Sequence, residues 1–371
     1  MMRNILLSFV PACCGVLAAL ASAGSAQAQN PPPSAYAEIV ANDVVLPPTP
    51  AGDQGTPYVS PLGDLYATLD FVGFARSGPT GSYARSNAYR DVLTGDNFDF
   101  GNQPGMRTLL GMRLTEVTAI EGSYLGLLEW GDRQAVKNLD LNGFGVSGRL
   151  FSPFTTFGFP ETAGFDYNSL VTVANETQFN GAEINVRRYF EMPYPAFQVS
   201  GIGGFRFISV DDHFTYQSQS FVPTPNGTAN FDDVAARNRM FGGQLGGMLE
   251  LRVERRGWLN LEVKGLMLGN DAEQSTTFTT GPLVGAATTT AGEASQRILT
   301  LGVDLQGSMA WKFTPSIVGR LGYQVIYLDG LAMGADNFMK NAPYAATNPS
   351  LLDKEGQLTV HGPFMGVTAT W

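Results

Sequence analysis

The chain ends in Leu358-Thr359-Val360-His361-Gly362-Pro363-Phe364-Met365-Gly366-Val367-Thr368-Ala369-Thr370-Trp371, and this stretch decides the fold. In an extended strand, Pro363, Met365, Val367, Ala369 and Trp371 fall on one side, and Phe364, Gly366, Thr368 and Thr370 on the other. An apolar stripe at period two that closes on an aromatic C-terminus fits a transmembrane barrel strand. There the apolar face meets lipid and the aromatic end sits at headgroup height.

Working back from that strand, the same alternation recurs. It begins at Leu65, Ala67, Leu69, Phe71 and Gly73, and continues through Met106 to Leu114 and through Ile120, Gly122, Tyr124, Gly126 and Leu128. Further segments run Ala182 to Val186, Phe197 to Phe207, Phe241 to Val253 and Leu259 to Met267. Leu299 to Phe313 and Ile317 to Tyr327 complete the set. With the closing strand the count is ten. Connections near 115–117, 191–195, 254–257 and 313–316 are tight, whereas 77–104, 130–175, 210–237, 271–295 and 330–356 are long and polar. Strict alternation of long and short connections separates extracellular loops from periplasmic turns, and an even strand count puts both termini on the periplasmic side. The expected fold is an all-β, transmembrane, antiparallel up-and-down barrel of about ten strands. An extra hairpin around Lys137–Leu150 would make twelve. A secreted β-sandwich could also bury such stripes, but Trp311, Phe313 and Trp371 bunch at the turn end as a lipid girdle requires.

The rest of the composition agrees. Residues 1–28 read as a secretory signal peptide: Arg3, an apolar run from Ile5 to Ala23, and the small-x-small site Ala26-Gln27-Ala28. Cys13, after Val10-Pro11-Ala12, is a poor lipoprotein site because the apolar run continues past it. Cys13 and Cys14 leave with the leader, so the mature chain is expected to carry no disulfide or cysteine-bound metal. Residues 29–64 form a proline-rich periplasmic segment and 65–371 the barrel. Removing Arg3 from 23 bases leaves 22 against 33 acids, a balance of −11 that argues against nucleic acid as a partner. No mature stretch reaches the ~20 apolar residues of a membrane helix.

Opposite the apolar stripe stand six acids, Asp70, Glu121, Glu183, Glu250, Glu262 and Asp304, and seven bases, Arg107, Arg113, Arg187, Arg206, Arg252, Lys264 and Arg320. These are the expected lumen-lining charges. They either pair across strands and fill a small barrel or line a narrow pore and set its ion preference, and ten strands lie near the filled end of the size range. Acidic residues including Asp91, Asp96, Asp99, Asp211, Asp212, Asp232, Asp233 and Asp271 fall in the expected loops, where they would be solvated or bridge lipopolysaccharide through divalent cations.

Four patches carry a family resemblance: Phe179-Asn180-Gly181-Ala182-Glu183-Ile184-Asn185, Gly203-Gly204-Phe205-Arg206-Phe207, Asn238 to Gly246, and His361-Gly362-Pro363-Phe364-Met365-Gly366. Through them residues 65–371 resemble the outer-membrane barrels called beta-barrel porin seven. The resemblance implies a bacterial outer-membrane barrel and names no substrate. The cysteines that many relatives carry near the fourth-strand turn are replaced by Arg188-Tyr189-Phe190-Glu191.

The functional expectation is a narrow, porin-like passive channel for small solutes or ions, with a filled, envelope-structural barrel as the alternative. An omptin-like protease is a third reading, resting on Asp211-Asp212-His213, but adjacent strand residues point to opposite faces. No catalytic residue, metal or cofactor is assigned. Expected partners are outer-membrane lipid, lipopolysaccharide and the barrel assembly machinery, for which Trp371 is the insertion signal.

Overall fold

The computed structural model describes residues 65–86, 90–140, 147–148, 150–194, 196–220 and 227–371. The expected signal peptide and proline-rich segment lie outside the described residues. Ten strands form the ring: β1 (Leu65–Arg76), β2 (Gln103–Thr115), β3 (Thr118–Lys137), β4 (Asn168–Phe190), β5 (Phe197–Ser220), β6 (Thr228–Arg252), β7 (Gly257–Gly281), β8 (Thr288–Thr314), β9 (Ile317–Leu331) and β10 (Gly356–Thr370). Each pairs antiparallel with its sequence neighbours, and β10 closes on β1 with Leu69 opposite Val367 and Asp70 opposite Gly366. Closure leaves no strand edge in lipid, as the absence of water to satisfy backbone groups there requires.

The hairpin expected near Lys137–Leu150 does form, between Leu139–Asp140 and Ser147–Gly148, but it is a two-residue pairing outside the ring. The barrel therefore has ten staves, and the twelve-strand alternative is excluded.

On the outer wall the apolar residues form a band. In β5 it runs from Phe197 to Phe207, eleven residues, the span of a tilted transmembrane strand. Beyond it the outward residues turn polar, beginning with Ser209, Asp211 and His213, yet the strand continues to Ser220. The stretches expected as long loops at 210–237 and 271–295 are thus largely strand. β3 to β8 run 20 to 27 residues, whereas β9, β10, β1 and β2 run only 12 to 15. Past the apolar band the wall persists on six strands only.

The side left open by the four short strands is filled by the connections after β1 and after β9. These supply the short strands Ser82–Ser86 and Asp91–Thr94 and the helix α1, Gly334–Asn341. Their aromatic residues turn inward. The Phe338 ring lies 4.8 Å from Tyr216, 5.1 Å from Phe214 and 5.9 Å from Phe154, and Tyr83 lies 5.0 Å from Phe214. Phe338, Phe214, Tyr216, Tyr83 and Phe278 are all fully buried. Each such ring contributes about 1.5–3 kcal/mol by leaving water. The barrel is therefore folded around an apolar core at its loop end.

A bulge alters one expected face. Leu125 pairs with Gly181 and Leu128 with Phe179, so one extra residue enters β3 and Leu127 takes φ 64°. The insertion reverses the phase. Leu128, expected on the lipid side with Tyr124, points inward and is buried, while Leu127 is exposed.

Candidate functional site

At the turn-end half of the lumen the inward faces of the strands carry charge, and eleven of the thirteen residues singled out in the sequence line one cavity of about 150 Å³. Asp70 on β1 accepts from Arg107 Nε on β2 at 2.8 Å, and Arg320 on β9 lies 3.4 Å away. Arg107 also donates to Gln306 (2.6 Å) and Gln324 (2.7 Å). Gln324 in turn donates to Asp304 at 2.7 Å, whose other oxygen takes Arg206 at 2.6 Å. Arg206 stands 3.7 Å from Glu183, which accepts from Lys264 (3.0 Å), Gln244 (2.8 Å) and Ser123 (3.0 Å). Lys264 reaches Glu262 at 3.1 Å, Glu262 takes Arg187 at 2.9 Å, and Arg187 grips Glu121 through two bonds of 2.8 and 3.0 Å. The chain of contacts ends at Tyr66, whose hydroxyl donates to Glu121 at 2.6 Å. It starts and ends on β1 and crosses the lumen between β2 and β9, between β5 and β8, and between β4 and β7.

Charged side chains in a membrane span face the interior, where a partner can replace water. Barrel closure then brings residues far apart in sequence within hydrogen-bond reach, such as Arg107 and Gln324. Of the six cavity carboxylates Glu250 alone takes neither an ion pair nor a hydrogen bond among the described residues. Two of the thirteen stand apart from the cavity. Arg113 lies over the Tyr189 ring at 6.0 Å, and Arg252 is exposed at the end of β6, opposite Trp258.

Above this layer the lumen is apolar. Val72, Leu128, Phe179, Ile208, Leu268 and Phe364 belong to one buried core that is continuous with the aromatic residues of α1 and the loops. A second polar group is embedded there. Asp212, expected in a solvated loop, is an inward residue of β5, and one of its oxygens accepts from Arg76, Asn175 and Thr177. Its other oxygen takes the Gly334 N–H at the start of α1, at 2.7 Å. Asn238 holds the adjacent chain by donating to Ala332 O at 2.7 Å and accepting from the Ala332 N–H at 2.9 Å. Asp232 is likewise buried inside β6 rather than placed in a loop.

His213 points outward and pairs with Asp233, while Asp212 is inside with Arg76. The Asp211-Asp212-His213 run does not assemble into a site. His361 is also outward, 2.6 Å from the Tyr323 hydroxyl. Among the described residues no group of three or more His, Cys, Asp or Glu is arranged to hold a metal ion. Sequence reading passed over Tyr66, Gln244, Gln306 and Gln324, which share the inward phase and complete the network. Their uncharged side chains gave no reason to prefer them over other polar positions.

Residues 81–371 match the beta barrel porin-7 family. No curated protein sequence matches the chain. Among solved structures it is similar to the outer membrane protease OmpT of Escherichia coli, with 11% identity over 86% of this chain and 99% of that one and a TM-score of 0.45. It is also similar to the P. putida toluene transporter TodX, at 10% identity over 83% and 89% with a TM-score of 0.33. A third is Acinetobacter baumannii CarO, at 10% over 81% and 97% with a TM-score of 0.21. At such identities and scores the three carry no argument about activity or substrate.

Proposed function

The chain belongs to the beta barrel porin-7 family, and on that premise we propose that it is a bacterial outer-membrane barrel closed along its axis, an envelope-structural element with a filled lumen. The observation that carries this reading is the apolar septum above the charged layer. Val72, Leu128, Phe179, Ile208, Leu268 and Phe364 come from six strands, and each is at most 4% exposed. A passive aqueous channel needs a continuous wetted path, and a constriction lined by packed apolar side chains holds none. The reading assigns no catalysis. It sets the tight turns and both barrel termini toward the periplasm and the polar strand extensions outside the cell, among lipopolysaccharide. Trp371, exposed beside the first and last strands, serves as the signal read by the assembly machinery. Trp371→Ala should then lower the amount of inserted barrel while leaving folding into detergent intact.

Recordings from planar bilayers test the closed lumen. Purified barrel, shown to be folded by faster migration on unheated SDS gels, should give no unitary conductance steps. Regular steps from the unsubstituted protein would overturn the filled-lumen reading in favour of a narrow channel. One observation favours that second reading: α1 and the chain entering it are fastened to the wall partly through polar contacts, Gly334 to Asp212 and Ala332 to Asn238, which can exchange with water. If α1 is a gate, replacing residues 334–341 by a glycine-serine linker should open steps that the parent lacks.

A further inference from the structure

The contacts of the turn-end cavity leave one charge over. Six carboxylates and five bases line it. Arg107 and Arg320 serve Asp70, Arg187 serves Glu121 and Glu262, and Lys264 serves Glu183 and Glu262. Arg206 joins Glu183 to Asp304. All five bases are therefore engaged by five of the acids, and the sixth, Glu250, is the unmatched charge. Arg252, two residues along β6, is exposed at the strand end and makes no ion pair with Glu250 among the described residues. Glu250 itself is only partly buried. A carboxylate drawn out of bulk water without a partner favours a cation beside it.

The walls around Glu250 identify the kind of cation. On the inward rows to either side of it stand Tyr189 on β4 and Trp258 on β7, which line the cavity together with Met248. A carboxylate flanked by aromatic rings suits an ammonium ion, whose charge is attracted to ring faces. A calcium ion instead takes about six to eight oxygens, and among the described residues no group of three or more His, Cys, Asp or Glu is arranged to hold a metal. The cavity of about 150 Å³ far exceeds the roughly 10–15 Å³ that admits one water, and so has room for an organic ion. We propose that it is a periplasm-facing pocket for a small organic ammonium ion, with Glu250 as counter-ion and Tyr189 and Trp258 as aromatic walls. The apolar septum closes the outer end, so the ligand enters and leaves at the tight turns. The pocket deepens the closed-lumen reading and rests on it only for this dead end.

The test titrates choline chloride into the full chain folded in maltoside micelles and follows the heat of binding. One choline should bind per barrel, about tenfold more tightly than dimethylbutanol, the uncharged isostere with carbon in place of nitrogen. In Glu250→Gln the two probes should bind alike. If that variant does not fold, Trp258→Leu serves instead and should weaken choline binding about fivefold. Absence of choline binding, equal affinity for the two probes in the unsubstituted protein, or binding untouched by the substitution overturns the pocket. Displacement of choline by equimolar magnesium chloride overturns the organic ligand in favour of a metal ion. Unitary conductance steps from a barrel that binds choline through Glu250 would overturn the closed lumen and leave the pocket standing. A silent barrel indifferent to choline would do the reverse.

Discussion

Asp212 on β5 accepts the backbone N–H of Gly334 at 2.7 Å, and through its other oxygen it balances Arg76 on β1. One buried carboxylate therefore ties the first turn of α1 to two strands that are far apart in the ring. Both side chains of the ion pair are 1% exposed. Asp212→Ala should destabilise the barrel by about 3–5 kcal/mol, because it strands a buried guanidinium as well as removing the anchor of the helix. Urea titration in detergent micelles measures this. The double variant Asp212→Leu/Arg76→Met should recover more than half of the loss, since an apolar pair of similar volume leaves no charge behind. A loss below about 1 kcal/mol for the single variant would mean that water reaches Arg76.

Within the charged layer the same logic separates two acids from a third. Lys264 serves Glu183 and Glu262 together, so Lys264→Met should cost about 3 kcal/mol in the same titration. Glu250 faces the cavity with no ion pair, and Glu250→Gln should stay within about 0.5 kcal/mol of the parent or exceed it in stability. Equal losses in the two variants would mean that the contacts around the ring do not act as pairs.

The closing seam predicts an asymmetry between two glycines. A Cβ at Gly366 on β10 would stand 2.3 Å from Leu69 O and 2.2 Å from Asp70 Oδ1, both on β1, whereas a Cβ at Gly73 meets nothing within 4 Å. Gly366→Ala should reduce the heat-modifiable, folded fraction severalfold, while Gly73→Ala should fold like the parent. Similar yields from both would show that the seam can open by several tenths of an ångström without loss.

The ten staves were legible because lipid on one side and a packed lumen on the other impose a period-two pattern that is local to each strand. The pattern fades where the wall leaves the membrane. From Ala272 to Thr280 the two faces of β7 read Ala, Gln, Thr, Phe and Thr against Glu, Ser, Thr and Thr, a contrast too weak to be told from a loop. For that reason Asp212 and Asp232 were expected in solvent. The bulge at Leu127 escaped because a single inserted residue leaves composition unchanged while reversing phase. Charges facing the lumen were legible as a set, since a membrane-spanning strand can hide them nowhere else. Their partners were not, because contacts such as Arg206 with Asp304 are set by how the ring closes. The inward rings of Phe154 and Phe338 carry no sequence signal either, because a phenylalanine in a connection looks the same whether it packs inside or meets lipid.

The helix that fills the lumen should respond to pH through Asp336. Burial foremost, then the Asp353 and Asp212 carboxylates, push its carboxyl up to about 6 from the ordinary aspartate value of 3.8, against an opposing hydrogen bond from Thr80. Of the nearby bases, Lys340 is engaged by Asp353 at 3.4 Å and Arg76 by Asp212, so neither neutralises it fully. A folded-state value above the unfolded one means that the protonated form is favoured by folding. The contribution is complete below about pH 3.8 and is lost as pH rises through about 6. Asp336→Asn cannot ionise and should escape that loss. Its urea midpoint should match the parent near pH 4 and exceed it at pH 7.5 by the equivalent of roughly 1–2 kcal/mol, after allowance for partial solvent screening. Comparing variant with parent at each pH cancels the titration of the other carboxylates. A variant less stable than the parent at pH 7.5 would show instead that the ionised carboxylate is held by the Thr80 hydroxyl and that α1 is fastened more firmly as the pH rises.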